Sequence, residues 1–314
     1  MIRYHIGHYT VTVLMGLLLT GFMYGEPIRI VSYNVENLFH PKHDTVAEIE
    51  KDDIEWTQEG ERHWSYTRYY KKVENIARVL TNIGEWNGVD IVGLQEVENA
   101  LCVKRLCRTL RNGEYDFVHY ESPDVRGIDV ALIYKKARID TIRTRAIPVE
   151  LGEEYTRDIL YVCTKVDKKD TIHFFVCHLP SQRGGAAESE WKRDQAKRVL
   201  QNAVDSVFAA DKKAKIVVMG DMNSAPKNDI MGLTNKMMKI NGGTHKFQGQ
   251  WTCLDQFYTS TTLDSISDVQ IYDAEWIQEP DEKQLGLKPK RTYNGYHYQN
   301  GFSDHLPIIL ECPR

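Results

Sequence analysis

The sequence predicts an α/β fold in which two sheets pack together with helices on the outside. Strand-like runs outnumber helical ones along the chain. Those runs are neither uniformly apolar, as in an all-parallel sheet, nor strictly alternating, as in a sheet with one wet face. The 314 residues are 42% hydrophobic and 27% charged, a globular composition with length enough for one large core. Two sheets covered by helices satisfy these observations best, with a simple doubly wound sheet second.

The elements follow in order. Residues 1–25 stand apart. Arg3, His5 and His8 precede an almost wholly apolar run from Val11 to Tyr24, and Glu26 is the first acid. This pattern predicts an export signal, because the run is short of the roughly 20 apolar residues that span a bilayer. An uncleaved anchor is the weaker alternative. A mature domain over residues 26–314 is expected, since no Pro/Gly/Ser-rich linker and no repeat divides it.

P-I-R-I-V-S-Y-N-V (27–35) is β-branched and predicts a strand. Residues 40–65 are highly charged without a periodic core pattern and predict a solvated loop. Tyr69, Val73, Ile76, Leu80 and Ile83 share one face of a predicted helix over 66–83. V-D-I-V-G-L-Q-E-V (89–97) is a buried strand ending in polar residues, and 99–111 is a helix. Strands follow at 115–120, 128–135, 159–167 and 171–178, the last two joined by the hairpin signal D-K-K-D. A helix over 186–208 precedes the strand of K-I-V-V-M-G-D-M-N (215–223). A short helix over 229–239, strands at 252–259 and 267–272, and a closing strand at 305–311 complete the expectation.

Net charge is −4, and loss of residues 1–25 removes one of the 40 basic residues and none of the 44 acids. An overall basic field that would hold nucleic acid is therefore excluded; such binding needs a local basic patch or bound cations. The six cysteines, Cys102, Cys107, Cys163, Cys177, Cys253 and Cys312, show no C-x-x-C metal spacing. An even number in an exported chain permits disulfides, while Cys163 and Cys177 lie in apolar runs that suit buried thiols.

The chemistry gathers at strand ends. Apolar strands stop at Asn34, at Gln95-Glu96, at His178 and at Gly220-Asp221-Met222-Asn223, and Asp304-His305 precedes the last strand. One polar strand end is ordinary, and an Asp-His dipeptide alone is more often a turn. Five such ends bearing acid, amide or imidazole groups point to a shared site. Glu96, Asp221, Asn34 and Asn223 offer hard oxygen atoms, which suit Mg²⁺, Mn²⁺ or Ca²⁺ and not zinc. An oxygen-lined metal beside His178 and His305 suits hydrolysis of phosphate esters.

R-I-V-S-Y-N-V-E-N-L-F, D-I-V-G-L-Q-E-V, R-G-I-D-V-A-L-I-Y, H-L-P-S-Q-R-G-G, V-V-M-G-D-M-N-S-A-P, L-D-Q-F and F-S-D-H-L-P-I occur in that order. Together they resemble the endonuclease/exonuclease/phosphatase superfamily, the deoxyribonuclease-like metal-dependent phosphoesterases, across essentially the whole mature chain. The resemblance implies a four-layer αββα sandwich with its site at one end of the sheets. It implies Glu96 as the main metal ligand, with Asn34 and Asp304 beside the ion. It gives Asp221 the attacking water, with Asn223 as companion. It puts His305 on the scissile phosphate, Asp255 behind His305, and His178 near the leaving group. Whether Asp221 or His305 is the general base stays open.

Arg126 and Arg183 are either phosphate-gripping forks or surface arginines. Ser181 and Gln182 are further substrate contacts to test, and Asp129 either enters the site or supports its loop. The aromatic loop Y-N-G-Y-H-Y (293–298) either packs or stacks on substrate. N-V-E-N-L-F, R-G-G and the export segment are most similar to secreted nuclease-like members. The expectation is therefore a monomeric, exported Mg²⁺- or Mn²⁺-dependent endonuclease acting on DNA or RNA. The alternatives are a phosphoesterase for a small or lipid phosphate, of inositol phosphate or sphingomyelin type, and a non-catalytic binder on the same fold.

Overall fold

The computed structural model describes residues 26–43, 51–111, 113–182, 184–185, 187–264 and 266–313. The export segment expected over residues 1–25 lies outside them. Among the described residues no helix is long and apolar enough to cross a membrane.

Two six-stranded sheets face each other. The first runs in the order β13 (Asp268–Ile271), β18 (Ile308–Cys312), β1 (Ile28–Leu38), β2 (Ile91–Val97), β4 (Asp129–Lys135), β3 (Tyr115–His119). The second runs β5 (Ile139–Ile147), β6 (Ile159–Val166), β7 (Asp170–His178), β8 (Lys215–Asp221), β12 (Asp255–Ser260), β9 (Leu233–Asn235). Each sheet holds one parallel pair, β1 with β2 and β7 with β8; the other pairings are antiparallel. A parallel pair needs a crossover. Helix α1 (Tyr66–Gly84) supplies it in the first sheet and α3 (Glu190–Ala210) in the second. Helix α2 (Ala100–Leu110) lies beside α1, and the short α4 (Thr261–Asp264) follows β12.

The layers follow from alternation along the strands. Ile30, Phe174 and Val217 point between the sheets, where they meet Leu132, Met219, Phe257 and Leu310. Their neighbours Val31, Phe175 and Val218 point outward. Val31 packs in a cluster with Val73, Ile76 and Leu80 of α1, and Phe175 and Val218 pack with Ala196, Leu200 and Val204 of α3. The result is the expected four-layer αββα sandwich. Each fully buried side chain of this size contributes about 1.5–3 kcal/mol. All six cysteines are buried free thiols.

Several expectations are corrected. Strand β5 was not foreseen: it is exposed from Asp140 to Arg143 and again at Arg145, with charges at Asp140, Arg143 and Arg145, as befits a sheet edge. The helix expected over 229–239 is instead β9 and a 3₁₀ turn at Lys236–Lys239, because Thr234 and Leu233 pair with β12. The described part of the solvated loop, from residue 51, is packed: Trp56 stacks on Phe39, and Trp64 is fully buried. The closing strand starts at Ile308 and not at His305. Three small hairpins add to the frame: β10 (His245–Phe247) with β11 (Gln250–Thr252), β14 (Gln278–Pro280) with β15 (Leu287–Pro289), and β16 (Tyr293–Asn294) with β17 (His297–Tyr298).

This topology positions the site. The two parallel pairs bring the carboxyl ends of β1, β2, β7 and β8 to one edge of the sandwich. Antiparallel neighbours start there, so Asp255 opens β12 opposite Asp221.

Candidate active site

Asn34 and Asp221, from different sheets, meet directly: the Asn34 amide donates to Asp221 Oδ2 at 3.1 Å. The strands that carry Asn34 and Glu96 are bulged. Register shifts in β1 between Asn34 and Leu38, and in β2 between Gln95 and Val97. Glu36, Asn37 and Glu96 adopt positive φ of 51°, 57° and 65°. Such bulges re-aim side chains that regular alternation would send to opposite faces. Glu96 Oε2 accepts from Asn37 N–H at 3.0 Å, while Oε1 lies 3.9 Å from His178 Nε2 and 3.7 Å from Arg126 Nη2.

Gly220 shapes the second wall. Its φ is 142°, and a Cβ there would sit 1.9 Å from the Cys177 carbonyl oxygen. Only glycine lets β8 lie this close to β7 as it delivers Asp221. Asp221 Oδ1 accepts from Asn223 N–H at 2.8 Å, and the Asn223 amide donates to Leu179 O at 2.9 Å. Gln182 donates to Asn223 O at 2.8 Å and so braces that loop.

Two imidazoles flank the same carboxylate oxygen. His178 Nε2 lies 3.7 Å from Asp221 Oδ2 and His305 Nε2 3.8 Å from it. Burial, helped by Arg157, Arg126 and His305, holds His178 well below the usual imidazole range, so it is neutral. Burial also opposes charge on His305, but Asp255, Asp221 and Asp304 outweigh it and hold His305 well above that range. Its Nδ1 lies 2.7 Å from Asp255 Oδ2. Burial pushes Asp221 up to about 6 against the pull of His305.

Asp304 and His305 do share the site from a bend that precedes β18. Ser303 Oγ donates to Asn34 O at 2.6 Å and accepts from His305 N–H at 3.0 Å, which pins the bend to β1. Asp304 Oδ2 accepts from Arg291 Nη2 at 2.7 Å, and Arg291 Nε donates to Glu36 Oε1 at 3.2 Å. Burial tends to raise Asp304, but His305, Arg291, His245 and Lys72 hold it below the usual carboxylate range. Burial, with the Asp304 charge, raises the Glu36 carboxyl to about 6.

Arg126 reaches the site through Asn37, donating to its Oδ1 at 3.0 Å. Ser181 lies half-buried in the loop after β7. Arg183 lies outside the described residues. Asp129 supports a loop: its Oδ1 accepts from Ser122 N–H at 3.0 Å, and its Oδ2 lies 3.3 Å from His119 Nε2. The aromatic loop packs mostly inward, with Tyr293 against Trp56 and Trp64, while Tyr296 stays exposed under Arg62.

The sequence reading missed Glu36, Lys72, Asp124, Arg157, His245 and Arg291. His245, bridged to His305 with ring centroids 4.9 Å apart, comes with Asp304 and His305 within 4.8 Å by ligand atoms. Arg157 is buried and ties β7 to the Arg126 loop, donating to Asp124 Oδ2 at 2.9 Å and to Leu179 O at 2.9 Å. Only the N-V-E-N context of Glu36 offered a signal; the others depend on which loops meet.

Glu96 Oε1 makes no hydrogen bond among the described residues, with Arg126 Nη2 at 3.7 Å and His178 Nε2 at 3.9 Å beside it, so this carboxylate oxygen is open to a hard divalent cation.

Comparison with known proteins agrees with this fold. Truncated TDP2 from Caenorhabditis elegans superposes with a TM-score of 0.58 at 16% identity, over 93% of this chain and 98% of that one. An endonuclease/exonuclease/phosphatase family protein from Bacteroides thetaiotaomicron gives 0.57 at 15% identity, over 93% and 99%. The mannosyl-6-phosphatase Bt3783 of Bacteroides thetaiotaomicron gives 0.55 at 16%, over 90% and 98%. At such identities the likeness shows the fold. No curated protein matches the chain in sequence. The profile of the endonuclease/exonuclease/phosphatase family matches residues 29–314, nearly all of the described chain, and the protein belongs to that family.

Proposed function

We propose that this protein is an exported, divalent-metal-dependent phosphodiesterase that cuts nucleic acid by in-line attack of water. The observation that carries the reaction is the placement of Asp221 Oδ2 between two imidazoles, His178 at 3.7 Å and His305 at 3.8 Å, with Asp255 behind His305. Neighbouring titratable groups whose environments drive them apart are the mark of acid and base assignments. Export rests on the pattern of residues 1–25.

Glu96, with Asn34 and Asp304, would hold Mg²⁺ or Mn²⁺, and Ca²⁺ suits the same oxygens. The ion supplies neutralisation of the phosphoryl oxygens. The protein's own groups do the rest. Asp221, fixed by Asn34 and Asn223, orients the attacking water and takes its proton. His305 presents Nε2–H to a phosphoryl oxygen as an imidazolium, and Asp255 holds that tautomer from behind. His178, neutral, donates or accepts a hydrogen bond without adding charge. As the water oxygen bonds to phosphorus, the bond to the leaving oxygen breaks, and that oxygen takes its proton from solvent. Arg126, Ser181 and Arg183 are assigned to substrate oxygens.

Purified protein is to be incubated with plasmid DNA, RNA, inositol phosphates, hexose phosphates and sphingomyelin, with Mg²⁺, Mn²⁺ or chelator. Cleavage of DNA or RNA that needs metal and is lost in His305→Ala is the expected result. Hydrolysis of a small or lipid phosphate alone would replace the substrate assignment and keep the mechanism. No hydrolysis with any metal would end both.

A further inference from the structure

His119 ends β3, and Glu121 follows at the spacing that keeps the side chains of an extended chain on one face. That face is the outer one. Val118 packs between the sheets, whereas Ala131, paired with His119, and Val97, paired with Asp129, belong to the cluster under α1 and α2. Asp129 opens β4 two residues before Ala131 and so shares their face.

The three side chains meet there. One donor atom from each of His119, Glu121 and Asp129 lies within 4.8 Å of the other two. His119 Nε2 is 3.3 Å from Asp129 Oδ2, and Nδ1 is 3.9 Å from Glu121 Oε1. Asp129 is 1% exposed, and the His119 side chain 3%. Ser122 occupies the other Asp129 oxygen, Oδ1, through its N–H and its hydroxyl. Asp129 Oδ2 and His119 Nε2 are buried without a hydrogen-bond partner, near enough to bond each other but not aligned to do so. Among the described residues no Lys or Arg pairs with Asp129. Its charge is felt further off, where it helps burial raise the Asp158 carboxyl.

A buried nitrogen and oxygen that are close yet unbonded call for a third partner. A metal ion fits their spacing. Two ligand atoms on one tetrahedral ion, each about 2.0–2.1 Å from it, stand roughly 3.3 Å apart. An imidazole nitrogen beside carboxylates suits zinc, whereas the oxygen set around Glu96 suits harder ions. We infer that His119, Glu121 and Asp129 bind a zinc-class divalent ion, Zn²⁺ first, at a site separate from the one at Glu96. The chain between Glu121 and Asp129 carries Arg126, and Asp129 pairs with Val97, the residue after Glu96. The ion therefore closes the base of the Arg126 loop by joining β3 to the start of β4. The inference does not depend on which ester the protein cuts.

Glu96→Gln protein, in which the other site is weakened, is freed of metal with chelator. It is then titrated with Zn²⁺ by calorimetry and with Co²⁺ by visible absorption. One equivalent of Zn²⁺ and the d–d band of a nitrogen- and oxygen-ligated Co²⁺ are expected. Adding His119→Ala should abolish the band and lower Zn²⁺ affinity by more than about 100-fold, since loss of an outer-shell partner alone costs roughly 10–100-fold. Adding Glu121→Gln should lower it less. Zn²⁺ at about 100 times Kd should raise the melting temperature of Glu96→Gln by about 5 °C and leave the His119→Ala chain unmoved. Melts in chelator show whether each chain folds. If the His119→Ala chain does not, Glu121→Gln decides, and unchanged affinity there overturns the site. An ion still bound with equal affinity in folded His119→Ala lies with His245, Asp304 and His305 and also overturns it. So does the absence of stoichiometric binding, which leaves a plain His119–Asp129 ion pair. Displacement of Zn²⁺ by Mg²⁺ at equal concentration would overturn the zinc assignment.

Discussion

His305 Nδ1 lies 2.7 Å from Asp255 Oδ2 across 50 residues of chain. Asp255 opens β12 in register with Asp221 and is wholly buried. Thr244 fixes both partners: its Oγ1 accepts from Asp255 N–H at 3.2 Å, and its carbonyl accepts from Leu306 N–H at 2.7 Å. The carboxylate therefore sets the imidazole's tautomer and stabilises its charged form.

Asp255→Asn keeps the shape but removes that charge. The expected loss is about 10²–10⁴ in kcat, with KM for a phosphodiester nearly unchanged. Steady-state kinetics beside a thermal melt test this. A variant that melts normally and turns over at the wild-type rate would show that His305 needs no carboxylate behind it.

Glu96→Gln probes the metal directly. The loss of Mg²⁺ or Mn²⁺ affinity should exceed the roughly 10–100-fold that removal of an outer-shell partner costs. Calorimetric titration without substrate reads it. Metal at 100 times Kd should also stabilise the wild type by about 2.7 kcal/mol and the variant far less. Equal binding by both proteins would take Glu96 out of the ligand set.

Much of this was legible in the sequence because strands carry it. The five polar strand ends were visible, and parallel pairing of β1 with β2 and of β7 with β8 brings four of them to one edge. The bulges that aim Glu36 and Glu96 were not visible, since positive φ at a glutamate has no compositional mark. Asp255 was reachable only by resemblance: a lone Asp at a strand start reads as a turn acid until Thr244 and His305 surround it. His245 opens a short hairpin and Arg291 links two others, and their docking is decided by tertiary contacts such as Lys246 with Asp281. The misread stretch 229–239 has helical spacing, but pairing with the edge of β12 outweighs local propensity there.

Arg157→Met should destabilise the fold and also remove a donor from the His178 carbonyl. The Arg157 guanidinium is buried, paired with buried Asp124, and donates to two carbonyls that end β7. Removing it strands the Asp124 charge and takes a donor from the His178 and Leu179 carbonyls, the second of which keeps the Asn223 amide, a loss of about 3–5 kcal/mol. Urea unfolding measures it. Adding Asp124→Asn should recover part of the loss, because the stranded charge is then gone. A double variant no more stable than the single one would place the cost in the carbonyls instead.

His173 gives the fold a pH dependence remote from the site. Its Nδ1 lies 2.8 Å from the Tyr161 hydroxyl on the outer face of β7. Burial lowers its pKa from the ordinary imidazole value, with Asp211 opposing and Arg143 assisting. The folded protein therefore binds this proton less readily than the unfolded chain does. Stability from this group is present above the unfolded value of about 6.5 and is lost as pH falls from there through the folded pKa. In His173→Gln that loss disappears. The stability difference, wild type minus variant, should shrink between pH 8 and pH 5, as read by paired urea unfolding curves. A difference that stays constant across that range would mean that His173 titrates alike in the folded and unfolded chain, and that the acid sensitivity of the fold lies with other groups.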